Sequence, residues 1–270
     1  MEREKDRLRP SRPAEERNDL IAGRNAVMEA LKAGRAMENI QIVSRREAAS
    51  GANGGSIGKI IAMARERGIP VKEVNSQKLT ELCPGVSHQG VVAVCSAHAY
   101  SDISTMLRLA QERGEPPFLI LADELEDPHN LGAILRTGEA CGVHGVIIPK
   151  RRSVGLTYTV CKTSAGAVEY LPVARVTNLV QTIEQLKKQG LWVFAADMGG
   201  SPWCQTDFTG PVAIVVGAEG AGVGRLVKER CDGVISLPMR GRINSLNASV
   251  AASAIMLEVS RQRLQIKTNY

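Results

Sequence analysis

The sequence has 270 residues, 44% of them apolar and 3% aromatic, and its 34 Lys and Arg side chains oppose 28 Asp and Glu, which leaves a net charge of +6. At about 150 residues per domain this length predicts two domains, and the positive charge makes a polyanionic partner plausible. Apolar runs are far shorter than the roughly 20 residues of a membrane span, and the charged start does not resemble a signal peptide, so we expect a cytoplasmic protein. The six cysteines form no CxxC pair and the four histidines lack metal-ligand spacing, so we expect neither a disulfide scaffold nor a metal site.

The first third of the chain predicts a tail followed by a small α/β domain. Residues 1–19 are rich in charge and nearly free of apolar side chains, which is typical of a disordered tail. Residues 20–97 alternate between helical and strand periodicity, and Ser76 is the expected N-cap of the third helix. The predicted helices cover 23–34, 56–68 and 76–83, the predicted strands cover 39–43, 71–74 and 91–95, and a glycine-rich loop is expected at 50–55.

Residues 98–117, which end in Glu115-Pro116-Pro117, predict a linker, and residues 118–270 predict a second α/β domain. The strands of this second part are nearly continuous apolar runs, which are typical of a largely parallel sheet with helices on both faces. Predicted strands cover 118–122, 146–149, 170–174, 191–196, 212–217 and 234–238, and predicted helices cover 131–141, 157–165, 178–189, 224–230 and about 247–264.

A glycine-rich segment, VVGAEGAGVGR at 215–225, follows a predicted strand. It does not fit a dinucleotide-binding motif, because Glu219 or Arg225 stands where a glycine is required. It does not fit a phosphate-binding loop either, because no Lys-Ser or Lys-Thr follows. Two interpretations remain: a backbone turn that binds a small ligand at the carboxyl end of a strand, or a glycine turn required only by the geometry.

Two further segments combine polar side chains with the start of a helix. In DPHNLGAILRTGEACG at 127–142, Asn130 is a candidate helix N-cap and Arg136 lies on the face opposite the apolar residues. In LPMRGRINSLNASVAASAIMLE at 237–258, Ser245 and Asn247 precede a long helix with unusually small side chains, which permit close packing of another helix or a second chain. Taken alone, each segment is explained by capping.

Taken together, the three segments resemble the three motifs of the SpoU/TrmH class of RNA ribose 2′-O-methyltransferases, which belong to the SPOUT superfamily. Residues 20–97, through GRNAVMEALKAG, GIPVKEV and HQGVVA, resemble the small L30e-like substrate-binding domain of the bacterial 23S rRNA guanosine 2′-O-methyltransferase branch. The resemblance implies an α/β catalytic domain with a deep trefoil knot, S-adenosylmethionine as the cofactor, 23S rRNA as the substrate and a homodimer.

The resemblance also implies a set of site residues. For catalysis it gives Asn130, Arg136, Glu219, Ser245 and Asn247. For the cofactor it gives three loops that include Ala196, Asp197, Met198, Gly199, Gly217, Glu219, Gly222, Leu237 and Leu246, and the two leucines are expected to sandwich the adenine. Proposals for the family make the matching arginine the base, but a guanidinium stays protonated, so we expect Arg136 to hold a phosphate and stabilise the alkoxide. We expect Glu219 to accept hydrogen bonds from Arg136 or from loop amides.

The expected RNA contacts are mainly basic side chains next to these motifs, since aromatic residues for base stacking are scarce. They are Arg24, Asn25, His88 and Gln89 in the first domain and Lys150, Arg151, Arg152, Arg240 and Arg242 in the second. Two alternatives remain open: a tRNA ribose methyltransferase of the same class, and a non-catalytic rRNA-binding or assembly factor. Residues 20–97 argue against the first, and the intact catalytic motifs argue against the second.

Overall fold

The structure is a computed structural model, and it describes residues 19–44, 55–95, 98–242 and 245–265. The chain divides into two compact units between His98 and Ala99, and a short segment at 157–159 groups with the first unit. Nearly all of the predicted N-terminal tail and most of the predicted loop at 50–55 lie outside the described residues.

In the N-terminal unit the described residues form a four-stranded sheet and three helices. Its elements are β1 (Leu20–Ala22), α1 (Arg24–Lys32), β2 (Met37–Val43), α2 (Ser56–Glu66), β3 (Val71–Val74), α3 (Ser76–Leu82) and β4 (Val91–Cys95). The strand order is β1-β4-β2-β3, in which β4 runs antiparallel to both neighbours while β2 and β3 are parallel. The apolar faces of α1 and α2 pack on this sheet and form its main core. The α/β prediction for this region is therefore confirmed.

Two details of the N-terminal unit differ from the sequence-based prediction. Strand β1 was not predicted, because three residues give too short a pattern. The prediction that Ser76 caps α3 is wrong: the side chain of Asn75 accepts the hydrogen bond from the Lys78 backbone N–H at 2.8 Å. Asparagine and serine are both good N-caps, so adjacent candidates cannot be ranked from sequence.

The C-terminal unit contains six strands and six α-helices among its described residues. Its elements are α4 (Ile103–Arg113), β5 (Phe118–Ala122), α5 (Pro128–Ala140), β6 (Gly145–Pro149), α6 (Tyr158–Thr163), β7 (Val173–Val176), α7 (Leu179–Lys188), β8 (Trp192–Pro202), β9 (Val212–Val216), α8 (Arg225–Arg230), β10 (Gly233–Ser236) and α9 (Ala248–Arg263). The sheet order is β10-β8-β9-β5-β6-β7.

Every neighbouring pair in this sheet is parallel, as the continuous apolar strands predict. All five residues of β5 are buried, and their side chains alternate between two cores. One core contains α5 and α9, and the other contains α4, α7 and α8. The sheet is thus covered by helices on both faces, and this part of the fold prediction is confirmed.

The boundaries of several elements differ from the prediction. Helix α5 begins at Pro128 and is capped by Asp127, whose Oδ1 accepts from the His129 N–H at 2.9 Å, so the prediction that Asn130 is the N-cap is wrong. Helix α4 occupies much of the expected linker and buries Met106 and Ala110 in the C-terminal unit. Strand β7 starts three residues later than predicted and β8 continues six residues further. Among the described residues, no helix has the length and apolar character required to cross a membrane.

Candidate active site

A cavity of about 250 Å³ opens at β8 and at the loops that follow β9 and β10. The carboxyl ends of parallel strands are where α/β folds bind ligands. Eight of the nine expected cofactor residues line this cavity, namely Ala196, Asp197, Met198, Gly217, Glu219, Gly222, Leu237 and Leu246. The ninth, Gly199, lies in β8 with a φ of 76° but outside the lining. Below we call this space the cofactor cavity.

The glycine-rich turn after β9 forms one wall of the cofactor cavity and requires its glycines. A Cβ added to Gly217 would lie 2.1 Å from the carbonyl carbon and oxygen of Gly222. Gly220 and Gly222 have φ values of 79° and 68°, in the left-handed region that other residues rarely adopt. The Gly222 N–H donates to the Ala218 carbonyl at 3.0 Å and closes the turn. The turn therefore presents bare backbone to the cavity.

A half-buried ion pair joins α8 to the β8 wall. The Lys228 ammonium pairs with the carboxylate of Asp197, and both residues line the cofactor cavity. Burial disfavours the charged carboxylate, but hydrogen bonds from Lys228 and from the backbone N–H groups of Met198 and Val223 outweigh this effect and hold the pKa of Asp197 below its usual value. Sequence reasoning missed Lys228, because no local pattern pairs a lysine on α8 with an aspartate 31 positions earlier.

Three of the expected catalytic residues meet at the edge of the cofactor cavity. The Asn130 Nδ2 donates to Glu219 Oε1 at 2.9 Å, and the Asn247 Nδ2 donates to Asn130 Oδ1 at 2.9 Å and to the same Glu219 oxygen. Each residue comes from a different motif, and the separations along the chain are 89, 117 and 28 positions. Below we call Asn130, Glu219 and Asn247 the polar triad.

Asn247 also caps α9, and this fixes the orientation of its amide. Its Oδ1 accepts from the backbone N–H groups of Ser249 at 3.0 Å and Val250 at 3.2 Å. With the oxygen committed to the helix, the amide nitrogen must face Asn130 and Glu219. The expected capping by Asn247 is confirmed, and the same side chain serves the triad.

The other two expected catalytic residues make no contact with the triad. Ser245 lines the cofactor cavity and forms no hydrogen bond with any described residue. Arg136 is exposed on α5 and, within the described parts of the chain, has neither a hydrogen-bond nor an ion-pair partner. Among the described residues, the hydrogen-bond donors to Glu219 are the side-chain amides of Asn130 and Asn247. They are neither Arg136 nor loop amides, which are the donors that the sequence predicts.

Of the four RNA contacts expected in the N-terminal unit, three lie together. The Gln89 Oε1 accepts from the Arg24 backbone N–H at 3.0 Å, and the Gln89 carbonyl accepts from Arg24 Nε at 3.0 Å. His88 Nδ1 accepts from the Gly90 N–H at 3.0 Å. Gln89 has a φ of 52°, a conformation held by these contacts. Asn25 is exposed at the start of α1.

The basic side chains expected to contact RNA in the C-terminal unit are all exposed. Lys150, Arg151 and Arg152 follow β6, and Arg152 pairs with Glu124 at 3.0 Å. Arg240 and Arg242 follow β10. These groups give the carboxyl end of the sheet several cations that can contact phosphates.

Comparison with known families and proteins agrees with this geometry. The model of the SpoU rRNA Methylase family matches residues 117–257, and the model described as RNA 2′-O ribose methyltransferase substrate binding matches residues 20–101. A Bacillus subtilis (strain 168) protein whose name assigns it to the TrmH family of tRNA/rRNA methyltransferases is 46% identical over 92% of this chain and 97% of its own.

Two solved structures resemble this chain, one over nearly its whole length and the other over part of it. The SpoU methyltransferase AviRb from Streptomyces viridochromogenes, in complex with AdoMet, is 25% identical with a TM-score of 0.73, and the match covers 92% of this chain and 91% of that one. The TrmH/SpoU tRNA modifying enzyme of A. aeolicus is 29% identical with a TM-score of 0.50, and the match covers 60% of this chain and 86% of that one.

Proposed function

This chain belongs to the SpoU rRNA methylase family, and we propose that it transfers a methyl group from S-adenosylmethionine to a ribose 2′-hydroxyl of a guanosine in 23S rRNA. The observation that carries the proposal is the position of Glu219. Its side chain belongs to the polar triad, and the residue also lines the cofactor cavity. A methyl donor in that cavity and a hydroxyl at the triad would therefore meet at one residue.

The lining of the cofactor cavity fits S-adenosylmethionine. The glycine turn offers backbone groups for the polar edge of an adenine, and Leu237 and Leu246 offer apolar surface for its faces. The carboxylates of Asp197 and Glu219 suit the positive charge of a sulfonium. The bound cofactor supplies a methyl group that is already activated for transfer to an oxygen.

The chain's own contribution is to align the methyl donor with the hydroxyl and to remove the proton of that hydroxyl. We assign the removal of this proton to Glu219. Two amide N–H groups occupy Glu219 Oε1, and no described residue donates to Oε2. That oxygen can accept a hydrogen bond from the ribose 2′-hydroxyl and then its proton, as a general base must. The exposed Arg136 guanidinium is suited to holding the adjacent phosphate and stabilising the alkoxide, since it stays protonated.

The choice of rRNA as the substrate rests on the N-terminal unit and on the relatives. Residues 20–101 match a family model for RNA substrate binding, and the B. subtilis relative carries a name that includes both tRNA and rRNA. The A. aeolicus tRNA modifying enzyme aligns with only 60% of this chain. Guanosine and the homodimer remain predictions from the sequence resemblance, and the cytoplasmic location remains a prediction from the short apolar runs and the charged start of the sequence.

The test is transfer of a tritiated methyl group from S-adenosylmethionine to transcripts of 23S rRNA, 16S rRNA and tRNA. We expect label in 23S rRNA alone, at a single nucleotide that resists alkaline cleavage on its 3′ side. Label only in tRNA would favour the tRNA enzyme, and no transfer to any RNA would favour the assembly factor.

In the same assay Arg136→Ala should abolish transfer while cofactor binding is kept; near-normal turnover would contradict its assigned role.

A further inference from the structure

A second cavity, of about 480 Å³, lies at the carboxyl ends of β5, β6 and β7 and has no part in the site described above. We call it the β5–β7 cavity. Its wall is formed by the end of β6, by residues that directly follow β5 and β7, and by the starts of α7 and α8. Its lining residues include Asp123, Glu124, Arg151, Asn178, Arg225 and Leu226.

The β5–β7 cavity is next to the polar triad. A smaller cavity is lined by Asn130 and Glu219, and Glu124 lines both that cavity and the β5–β7 cavity. An acceptor ribose at Glu219 would therefore leave the neighbouring residue of the same RNA strand within reach of the β5–β7 cavity. No other part of the proposed reaction occupies this space.

The rim of the β5–β7 cavity is conformationally strained. Glu124 and Arg152 have φ values of 54° and 55°, which residues other than glycine rarely adopt. The two residues pair across the loops after β5 and β6, with Arg152 Nη1 3.0 Å from Glu124 Oε1. Strained residues of this kind persist where the surroundings hold them, and they cluster at ligand sites.

The polar groups of the cavity are those that recognise a nucleotide. Asp123 is 6% exposed, and its Oδ2 accepts from the Gly224 N–H at 2.9 Å. Burial raises the pKa of this carboxyl. Asn178 uses Oδ1 to cap α7, and no described residue accepts from its amide nitrogen. Arg151 is exposed and has no hydrogen-bond or ion-pair partner among the described residues.

The apolar part of the cavity completes this pattern. Leu226 is 59% exposed, although it is a large aliphatic side chain on a short helix next to Arg225. Pro149 and Val180 add further apolar surface to the lining. A flat base needs such a surface for its face, and a phosphate needs the nearby guanidinium groups.

We infer that the β5–β7 cavity binds one nucleotide of the RNA substrate next to the methylated one, with its phosphate on Arg151 and Arg225 and its base on Leu226. The amide of Asn178 and the carboxylate of Asp123 face the hydrogen-bonding edge of this base. The inference rests on the proposed function for the identity of the ligand as RNA. The cavity itself, its charges and its exposed leucine do not depend on that function.

The first test uses mononucleotides, so that it does not require methyl transfer. The full chain, with ¹³C-labelled Leu and Val methyl groups and saturating S-adenosylhomocysteine to fill the cofactor cavity, is titrated with guanosine 5′-monophosphate and, separately, with inorganic phosphate. We expect the methyl signals of Leu226, Val180 and Val227 to shift with the nucleotide. Shifts that phosphate reproduces at equal concentration would reduce the cavity to an anion site and overturn the inference.

Variants then separate the contributions of the phosphate and the base to nucleotide binding. Arg151→Gln should weaken nucleotide binding about tenfold, as expected for loss of a hydrogen bond to a charged group. Leu226→Ala should weaken nucleotide binding and leave phosphate binding unchanged. Arg108→Gln, which removes an exposed arginine from α4, is the matched control and should change neither. Equal effects of Arg151→Gln and Arg108→Gln would overturn the inference.

A second test uses RNA and distinguishes failure of this inference from failure of the proposed function. With an RNA that is methylated, Arg151→Gln should raise KM and lower the slope of log affinity against log salt by about 0.7, the value for one phosphate contact of a single strand. Unchanged KM and slope with normal methylation would overturn the subsite alone. Absence of methylation by the unaltered chain would overturn the proposed function. The mononucleotide titration would still show whether the β5–β7 cavity binds a nucleotide.

Discussion

The cofactor cavity and the β5–β7 cavity lie at the carboxyl end of the same parallel sheet but are built from different parts of the polypeptide. The first is walled by a glycine turn, in which Gly217 and Gly222 approach so closely that no Cβ fits between them. The second is walled by side chains, including Asp123, Arg151 and Leu226, and has a single glycine in its lining.

This difference determines how each cavity responds to mutation. A wall of backbone is altered only by changing the path of the chain, so a single added methyl group there has a large effect. A wall of exposed side chains tolerates the loss of any one of them, because the remaining contacts persist. The polar triad lies between these extremes, since it is made of side chains but each one is fixed by another.

Among variants of the two cavities and the triad, the largest effect should follow Glu219→Gln, which tests whether the triad contributes chemistry as well as contacts. A glutamine oxygen can still accept from Asn130 and Asn247, so the fold should change little. The neutral side chain cannot accept a proton, and methyl transfer should fall by about 10²–10⁴. Single-turnover rates check this, with Glu112→Gln on α4 as the control. A rate within tenfold of the unaltered chain would contradict the assignment of Glu219 as the base.

Gly217→Ala should have the next largest effect and tests whether the cofactor cavity depends on its backbone. The added Cβ would lie 2.1 Å from the Gly222 carbonyl, so the turn must move. Overpacking of this kind costs about 1–3 kcal/mol, and we expect cofactor affinity to fall by about one to two orders of magnitude. Isothermal titration calorimetry measures it.

The matched control is Gly210→Ala, where a Cβ would have no neighbour within 4 Å. This variant should bind the cofactor as the unaltered chain does. If both variants keep full affinity, the turn is not the wall that holds the cofactor.

A smaller effect should separate the two roles of Asn247. Asn247→Ser keeps an N-cap for α9 but removes the amide that donates to Glu219, whereas Asn247→Ala removes both. We expect the alanine variant to lose about 1 kcal/mol of unfolding free energy and the serine variant to lose little. Both should lower the methyl-transfer rate about tenfold. Urea unfolding and single-turnover rates check the two roles; a serine variant with normal turnover would limit Asn247 to capping.

The difference between backbone and side-chain walls also explains how far the sequence could predict this molecule. The apolar runs were sufficient to predict that β5, whose five residues are all buried, lies inside the domain, and that the sheet is parallel. Eight of the nine residues that the sequence resemblance implies for the cofactor then line a single cavity.

Contacts between distant segments could not be predicted in the same way. Strand β8 continues past Gly199 because Gly200 packs so closely on the Val234 carbonyl that a Cβ would lie 2.3 Å away. Helix α5 starts at Pro128, and a proline is a common first residue after an N-cap, so Asp127 was the better capping candidate. Asn130 is thereby released from capping and can join Glu219, which lies 89 positions away.

The smallest effect should follow Lys228→Met, which tests the Lys228–Asp197 ion pair in the cofactor cavity. The side chains of Lys228 and Asp197 are 36% and 15% exposed, so the pair should stabilise the fold by only about 0.5–1 kcal/mol at pH 7. Because the pKa of Asp197 is held below its usual value in the folded chain, its contribution is present above the unfolded pKa of about 3.9 and is lost as the pH falls through the lower folded value. The difference in unfolding free energy between the unaltered chain and Lys228→Met should therefore be constant from pH 7 to pH 5 and shrink towards pH 3. Lys228→Arg, which keeps the charge, should show less than half of that difference at pH 7. A difference that stays the same down to pH 3 would mean that the methylene groups of Lys228 stabilise the β8 wall by packing. The β8 wall, like the glycine turn after β9, would then be held by shape rather than by charge.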